Sequence, residues 1–213
     1  MSGGLPITLT HLAARLSLVV GGGEIAEHRA RALLDAGARV RVIAPSGTDG
    51  LAALAHGGKI DWLARPYRSG DLAGAFLVIA ATDDAQVNRA VAQEARARDQ
   101  LVNVVDDPDY CDLIAPAVVR RGNLTIAIST GGDVPALAGH LRAQLEQQFG
   151  DEWNAYVEWL ARIRGRIAER YPEMTARRQA WTRVLDSDLR GFIVAHSEME
   201  IETRISEILD SRE

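Results

Sequence analysis

The residues best suited to chemistry begin where the apolar run Leu18-Val19-Val20 breaks into Gly21-Gly22-Gly23 and continues as Glu24-Ile25-Ala26. The pattern Gly21-x-Gly23-x-x-Ala26 fits the glycine-rich turn that carries a dinucleotide pyrophosphate. Gly21 allows a tight turn out of a strand, Gly23 lets phosphate oxygens approach the backbone, and Ala26 lets the helix pack closely. Free N–H groups at the helix start, aided by the helix dipole, then face the phosphates. Gly21, Gly22, Gly23, Glu24 and Ile25 are therefore candidate cofactor-binding residues. A glycine turn that merely joins a strand to a helix has the same local look, so the surrounding elements carry weight.

Two more polar clusters follow apolar runs. Thr82, Asp83 and Asp84 precede a helix, where capping and cofactor contact are both open to them. Asp106 suits a general base and equally a turn aspartate beside Asp107-Pro108. The acid that usually follows the glycine turn by about 20 residues, to bind the adenosine ribose, is missing. That stretch reads Arg41-Val42-Ile43-Ala44-Pro45-Ser46, and Arg41 is a residue type that suits a 2′-phosphate.

Lys59 is the sole lysine among 24 basic residues. Seven arginines (162, 164, 166, 170, 177, 178 and 183) face only Glu169 and Glu173 between Arg162 and Arg183, a local charge of +5. Arginine forks bind carboxylates and phosphates, so this stretch suits an anionic ligand and, equally, a solvated helical face. The five histidines, His11, His28, His56, His140 and His196, lack paired ligand spacing, and Cys111 has no partner, so no metal site is read.

The elements that must position these groups alternate over the first ~110 residues. Strands are expected at Leu16–Val20, Arg39–Ile43, Ile60–Ala64, Phe76–Ala80 and Leu101–Val105, with helices at Glu24–Ala36, Leu51–His56 and Asp84–Arg98. Such alternation implies a mostly parallel, Rossmann-type α/β sheet, with ligands at the carboxyl ends of its strands. The polar clusters lie at those ends. Leu113–Arg120 and Leu124–Ser129 then read as strands around the turn Arg121-Gly122-Asn123, followed by a helix at Val134–Phe149. From Asp151 the chain is helical, with Trp153, Tyr156, Val157, Leu160, Ile163 and Ile167 as one apolar stripe. Three parts are expected. Residues 1–112 form a nucleotide domain, 113–149 a small β-β-α segment, and 150–213 a helical domain. The middle part is too small to bury its own sheet, which points to pairing in a homodimer.

At 213 residues the chain can bury a substantial core. A net charge of −5 argues against a general nucleic-acid binder. No apolar run approaches the ~18 residues of a membrane span, no signal pattern opens the chain, and one cysteine excludes an internal disulfide. A cytoplasmic protein without membrane or nucleic-acid partners is expected.

Taken together, these motifs resemble the siroheme synthase N-terminal region family. The resemblance rests on Val19-Val20-Gly21-Gly22-Gly23-x-Ile25-Ala26, Ala80-Ala81-Thr82-Asp83-Asp84-x-x-Val87-Asn88, and Asn103-Val104-Val105-Asp106. It continues through Ile114-x-Pro116-Ala117 and Ile128-Ser129-Thr130-Gly131-Gly132-x-x-Pro135-Ala136-Leu137-Ala138, and Arg177-Arg178-x-x-Trp181 is also similar. It implies an NAD-dependent precorrin-2 dehydrogenase yielding sirohydrochlorin, in a stand-alone form without the methyltransferase domain. In some members the same site inserts Fe2+ to give siroheme, and no single residue here decides that step. The resemblance also implies that Asp106 is the shared acid–base group and that Pro45 and Ser46 stand near the ribose. Thr82, Asp83 and Asp84 would line the dinucleotide site, while Ser129, Thr130, Gly131, Arg177 and Arg178 would bind the polycarboxylate substrate. Thr130 stands where relatives often have serine. Two other readings remain alongside: a dehydrogenase of another substrate, and a non-catalytic nucleotide or tetrapyrrole sensor.

Overall fold

A computed structural model describes residues 4–211, and the backbone divides into two compact units, one ending at Ala115 and one starting at Pro116. The first unit is built on β1 (Leu16–Val20), β2 (Arg39–Ile43), β3 (Ile60–Leu63), β4 (Ala75–Ala80) and β5 (Leu101–Val104). Every pairing is parallel and the order is β3-β2-β1-β4-β5. This is the Rossmann-type sheet expected from the alternation. Helices α1 (Glu24–Asp35), α2 (Asp49–His56) and α3 (Ala85–Ala97) connect its strands.

Both faces of the sheet are dry. Val19, Val40, Val42 and Leu77 pack with Ala26, Ala30 and Leu33 of α1 on one side. Leu18, Val20, Val78 and Val102 pack with Val91, Ala92 and Ala95 of α3 on the other. Such two-sided burial is why these strands read as continuous apolar runs rather than alternating ones. Ala26 is fully buried, as the third position of the glycine pattern requires. Because the chain leaves β1 toward β2 on one side and later enters β4 on the other, a crevice opens at the carboxyl ends of β1 and β4.

The second unit holds the antiparallel pair β6 (Ala117–Arg121) and β7 (Leu124–Ile128), with α4 (Pro135–Gln148) against both strands. The strand expected from Leu113 starts only at Ala117. Leu113 gives its carbonyl to the Asn103 side chain instead, and Pro116 has no N–H for a ladder. Most residues of β6 and β7 are half-buried or exposed.

Helices α5 (Glu152–Arg170), α6 (Met174–Asp186), α7 (Leu189–Ala195) and α8 (Glu198–Asp210) close a separate core. Its α5 contribution is Tyr156, Trp159, Ile163 and Ile167, which meet Ala180, Val184, Leu189, Ile201 and Ile205. The expected apolar stripe is thus corrected: Trp159 joins the core, while Trp153 and Leu160 pack only at its margin. Three arginines of α5 meet acids of α8, Arg162 with Glu198, Arg166 with Glu202, and Arg170 with Asp210. Both number series rise together, so the two helices run in the same direction. Among the described residues no helix is long and apolar enough to cross a membrane.

Candidate active site at the carboxyl edge of the sheet

Three loops lock together at the ends of β1, β2 and β4, and glycine makes the locking possible. Gly21, at φ +132°, donates its N–H to Ile43 O at 3.0 Å, while Ala81 donates to Val20 O at 2.8 Å. A Cβ on Gly21 would stand 2.1 Å from Ala81 O, and one on Gly22 would stand 1.9 Å from Ser46 O. Those distances exclude any side chain without moving backbone. Gly22 also gives its carbonyl to the Thr48 amide at 3.0 Å. The first two glycines therefore serve loop packing.

Gly23 differs. It precedes α1 as its N-cap, no side chain caps the helix, and a Cβ placed there meets nothing within 4 Å. Glu24 and Ile25 in the first turn are exposed. Uncapped N–H groups beside open space are the features a dinucleotide pyrophosphate requires, so the residues present fit such a group.

Pro45 and Ser46 lie exposed just beyond β2. The Trp62 indole N–H donates to Ala44 O at 3.0 Å and its ring lies against Gly47, which fixes the path of this loop. Arg41 is tied to Asp61 on β3, through Nε and Nη2 at 2.7 Å each. Glu27 accepts from Thr48 Oγ1 at 2.5 Å and from Arg31 Nε at 2.8 Å. These donors, Thr48 first, hold its carboxyl below the usual glutamate range.

Beyond β4, Asp84 caps α3 by accepting from Gln86 N and Val87 N at 2.8 and 3.3 Å. Asp83 is exposed beside it. Thr82 is held by a residue for which sequence reasoning named no role. Asn88 Oδ1 accepts from Thr82 N at 3.2 Å and Thr82 Oγ1 at 2.7 Å, and Asn88 Nδ2 donates to Thr82 O at 2.9 Å. Asn88 is only 7% exposed, and a buried amide on an otherwise apolar helix face was the available signal.

Asp106 follows β5 by two residues, exposed, with φ +60°. A left-handed non-glycine residue is uncommon, and such residues concentrate at functional sites. Asp107 precedes a single 3-10 turn, Pro108–Tyr110. Gly21, Ser46, Thr82 and Asp106 thus belong to loops on one edge of a single sheet.

In the second unit, Ser129 Oγ accepts the Gly131 amide at 3.1 Å and Thr130 Oγ1 accepts the Val134 amide at 3.2 Å. Both hydroxyls shape the turn before α4, where Gly131 and Gly132 take φ of +68° and +92°. The Arg177 guanidinium donates to Tyr171 O and Pro172 O at 3.1 and 3.2 Å. Arg178 is exposed and lines an open cavity of about 1080 Å³ together with Arg170, Tyr171, Arg183 and Arg204. Three of the seven arginines of that stretch pair with acids of α8, and Asp186, Glu207 and Asp210 also line the cavity, so it is a mixed rather than uniformly cationic surface. His140 is exposed on α4. Among the described residues no group of three or more His, Cys, Asp or Glu is arranged to hold a metal ion.

Known families match the chain in three successive stretches. Residues 9–117 match a family described as putative NAD(P)-binding, 121–148 the sirohaem biosynthesis protein central region, and 156–209 the sirohaem synthase dimerisation region. The chain belongs to the siroheme synthase N-terminal region family. It is 41% identical over 196 residues to siroheme synthase 1 of Aeromonas salmonicida, covering 92% of this chain and 42% of that protein. A siroheme synthase of Pseudomonas entomophila is 43% identical over 194 residues, covering 91% and 42%. The chain thus spans about two fifths of the length of these curated relatives. The solved structure of "SirC, precorrin-2 dehydrogenase" superposes with a TM-score of 0.78 at 26% identity, covering 97% of this chain and all of that one.

Proposed function

We propose that the protein oxidises precorrin-2 to sirohydrochlorin with NAD+ as the acceptor. The observation that carries this reading is the sheet edge itself. An uncapped helix start without a Cβ obstruction and a carboxylate on left-handed backbone share one rim of one sheet. The printed names of the relatives and of the structural neighbour support the substrate.

A bound nicotinamide dinucleotide supplies the hydride acceptor. The amides of Gly22, Gly23, Glu24 and Ile25 bind its phosphates, and Gly21 holds the turn that presents them. Pro45 and Ser46 border the ribose, and Thr82, Asp83 and Asp84 form the opposite lip of the crevice. The reaction gives up a hydride and a proton, and Asp106 accepts the proton. NAD+ is favoured over NADP+ because Arg41 is engaged with Asp61 and gives no ready partner to a 2′-phosphate. Ser129, Thr130, Gly131, Arg177 and Arg178 bind substrate carboxylates in this reading. The protein acts as a homodimer in the cytoplasm, a state supported by the dimerisation-region match and by the thin cover on β6 and β7.

The test is anaerobic incubation with precorrin-2 and either NAD+ or NADP+, following NADH absorbance and the sirohydrochlorin spectrum. Turnover with NAD+ is expected. Cofactor binding without turnover would favour a sensor instead. A parallel arm adds Fe2+ as substrate, and siroheme formation there would extend the reading to metal insertion.

A further inference from the structure

β5 is an edge strand, and its outer side is finished by side chains rather than by another strand. Asp112 N donates to Val102 O at 2.8 Å, which brings the returning chain alongside. The Cys111 sulfur then accepts the Val104 amide at 3.2 Å, and its S–H faces Val104 O at 3.1 Å and Asp107 O at 3.4 Å. Asn103, 8% exposed, donates from Nδ2 to Leu113 O at 2.9 Å and to Cys111 Sγ at 3.4 Å. Between the two ends of this staple run only residues 105–110. Asp106, at φ +60°, is the one left-handed residue in that short closed loop.

We infer that Asn103 and Cys111 are positioning residues for the oxidation, clamping the loop ends so that Asp106 keeps its left-handed backbone and its carboxylate one fixed direction. This rests on Asp106 being the proton acceptor proposed above. The physical need is clear. Asp106 lies in a turn whose own closing bond, Asp107 N to Val104 O, is long at 3.4 Å, and neither neighbour of Asp106 supplies a side-chain bond, so its left-handed backbone relies on what holds the loop ends. The Cys111 thiol suits the task because burial, foremost, pushes its ionisation up, so it keeps the S–H that faces Val104 O. An amide at position 103 suits it because only a donor can reach Leu113 O, and the side chain has two N–H groups to share.

The experiment measures steady-state kinetics of full-length Asn103→Asp, Cys111→Ala and Cys111→Ser with precorrin-2 and NAD+, each in the wild-type and the Asp106→Asn background. Asn103→Asp keeps the shape but loses the donor. In the wild-type background, kcat is expected to fall about 10- to 100-fold for Asn103→Asp and Cys111→Ala, the scale of a misplaced catalytic group. The KM for NAD+ should stay unchanged, and Cys111→Ser, which keeps a donor and an acceptor, should recover most of the rate. In the Asp106→Asn background the same substitutions should have almost no further effect, because they act through the missing carboxylate. Equal losses in both backgrounds, or no loss in the first, would overturn the inference. Full activity of Asp106→Asn alone would instead remove the catalytic reading on which it rests. Circular dichroism and NADH binding identify the folded variants, and the serine variant keeps the test open if the alanine variant does not fold.

Discussion

The Thr48 hydroxyl donates to Glu27 Oε2 at 2.5 Å and accepts the Leu51 amide at 3.2 Å. One side chain thereby joins the first turn of α1 to the cap of α2, with the Ser46 loop between them. Thr48→Ala should cost about 1 kcal/mol, the usual loss of a helix cap. It should also raise the KM for NAD+ more than it lowers kcat, since it loosens a loop bordering the proposed cofactor site. Thermal unfolding and initial rates check both parts.

The three glycines at the crevice should separate by phenotype. Gly22→Ala drives a methyl into Ser46 O and should prevent stable folding of the first unit. Gly23→Asp has room, so the variant should fold as wild type while losing NADH binding, because side chain and charge occupy the phosphate approach. Fluorescence titration with NADH beside an unfolding scan tests the contrast. Tight binding by Gly23→Asp would remove the basis of the cofactor assignment.

Asp106→Gly should uncouple stability from activity. Glycine adopts φ +60° freely, so the variant should unfold no earlier than wild type. Dehydrogenation should nevertheless drop roughly 10²–10⁴-fold, the range for loss of a general base. A variant with wild-type stability and full rate would identify Asp106 as a turn residue only.

Glu94 predicts an acid weakness in the first unit. Burial pushes its carboxyl up, but hydrogen bonds from Tyr67 O–H, Gly70 N and Leu72 N outweigh burial and leave it below the ordinary glutamate range. Tyr67 is correspondingly raised, by burial and then by Glu94. A depressed carboxyl stabilises the fold above its unfolded value, about 4.3, and this is lost as pH falls through the lower folded value. Wild type should lose stability as the pH falls below that range, and Glu94→Gln should lose less over the same interval. Denaturant midpoints at stepped pH would report it.

The order of strands and helices in the first unit was legible because both faces of its sheet are covered, leaving unbroken apolar runs between glycine and acid clusters. The glycine turn was legible as a strand-to-helix turn suited to a phosphate, but the division of labour within it was not. Gly21 and Gly22 are constrained by Ala81 O and Ser46 O, which come from other strands. Asn88 and Cys111 carried no readable role for the same reason, since their partners are fixed by how loops meet. The Arg162–Arg183 stretch looked more cationic than it is because the acids that match three of its seven arginines lie 36 to 40 residues further on, at Glu198, Glu202 and Asp210. Arg41 similarly gave no hint that Asp61 would hold it.

The parallel placement of α5 and α8 bears on the order in which the two cores can close. The first unit contains all five strands of its sheet before Ala115 and has every partner it needs while the remainder is still being made. The helical core has no such freedom. Ile201, Ile205, Ile208 and Leu209 belong to it, and the matching charges for Arg162, Arg166 and Arg170 arrive on the same late helix. Until α8 is in place, the other helices carry an uncovered apolar seam beside a row of arginines without their acids. Docking of that one helix closes both at once.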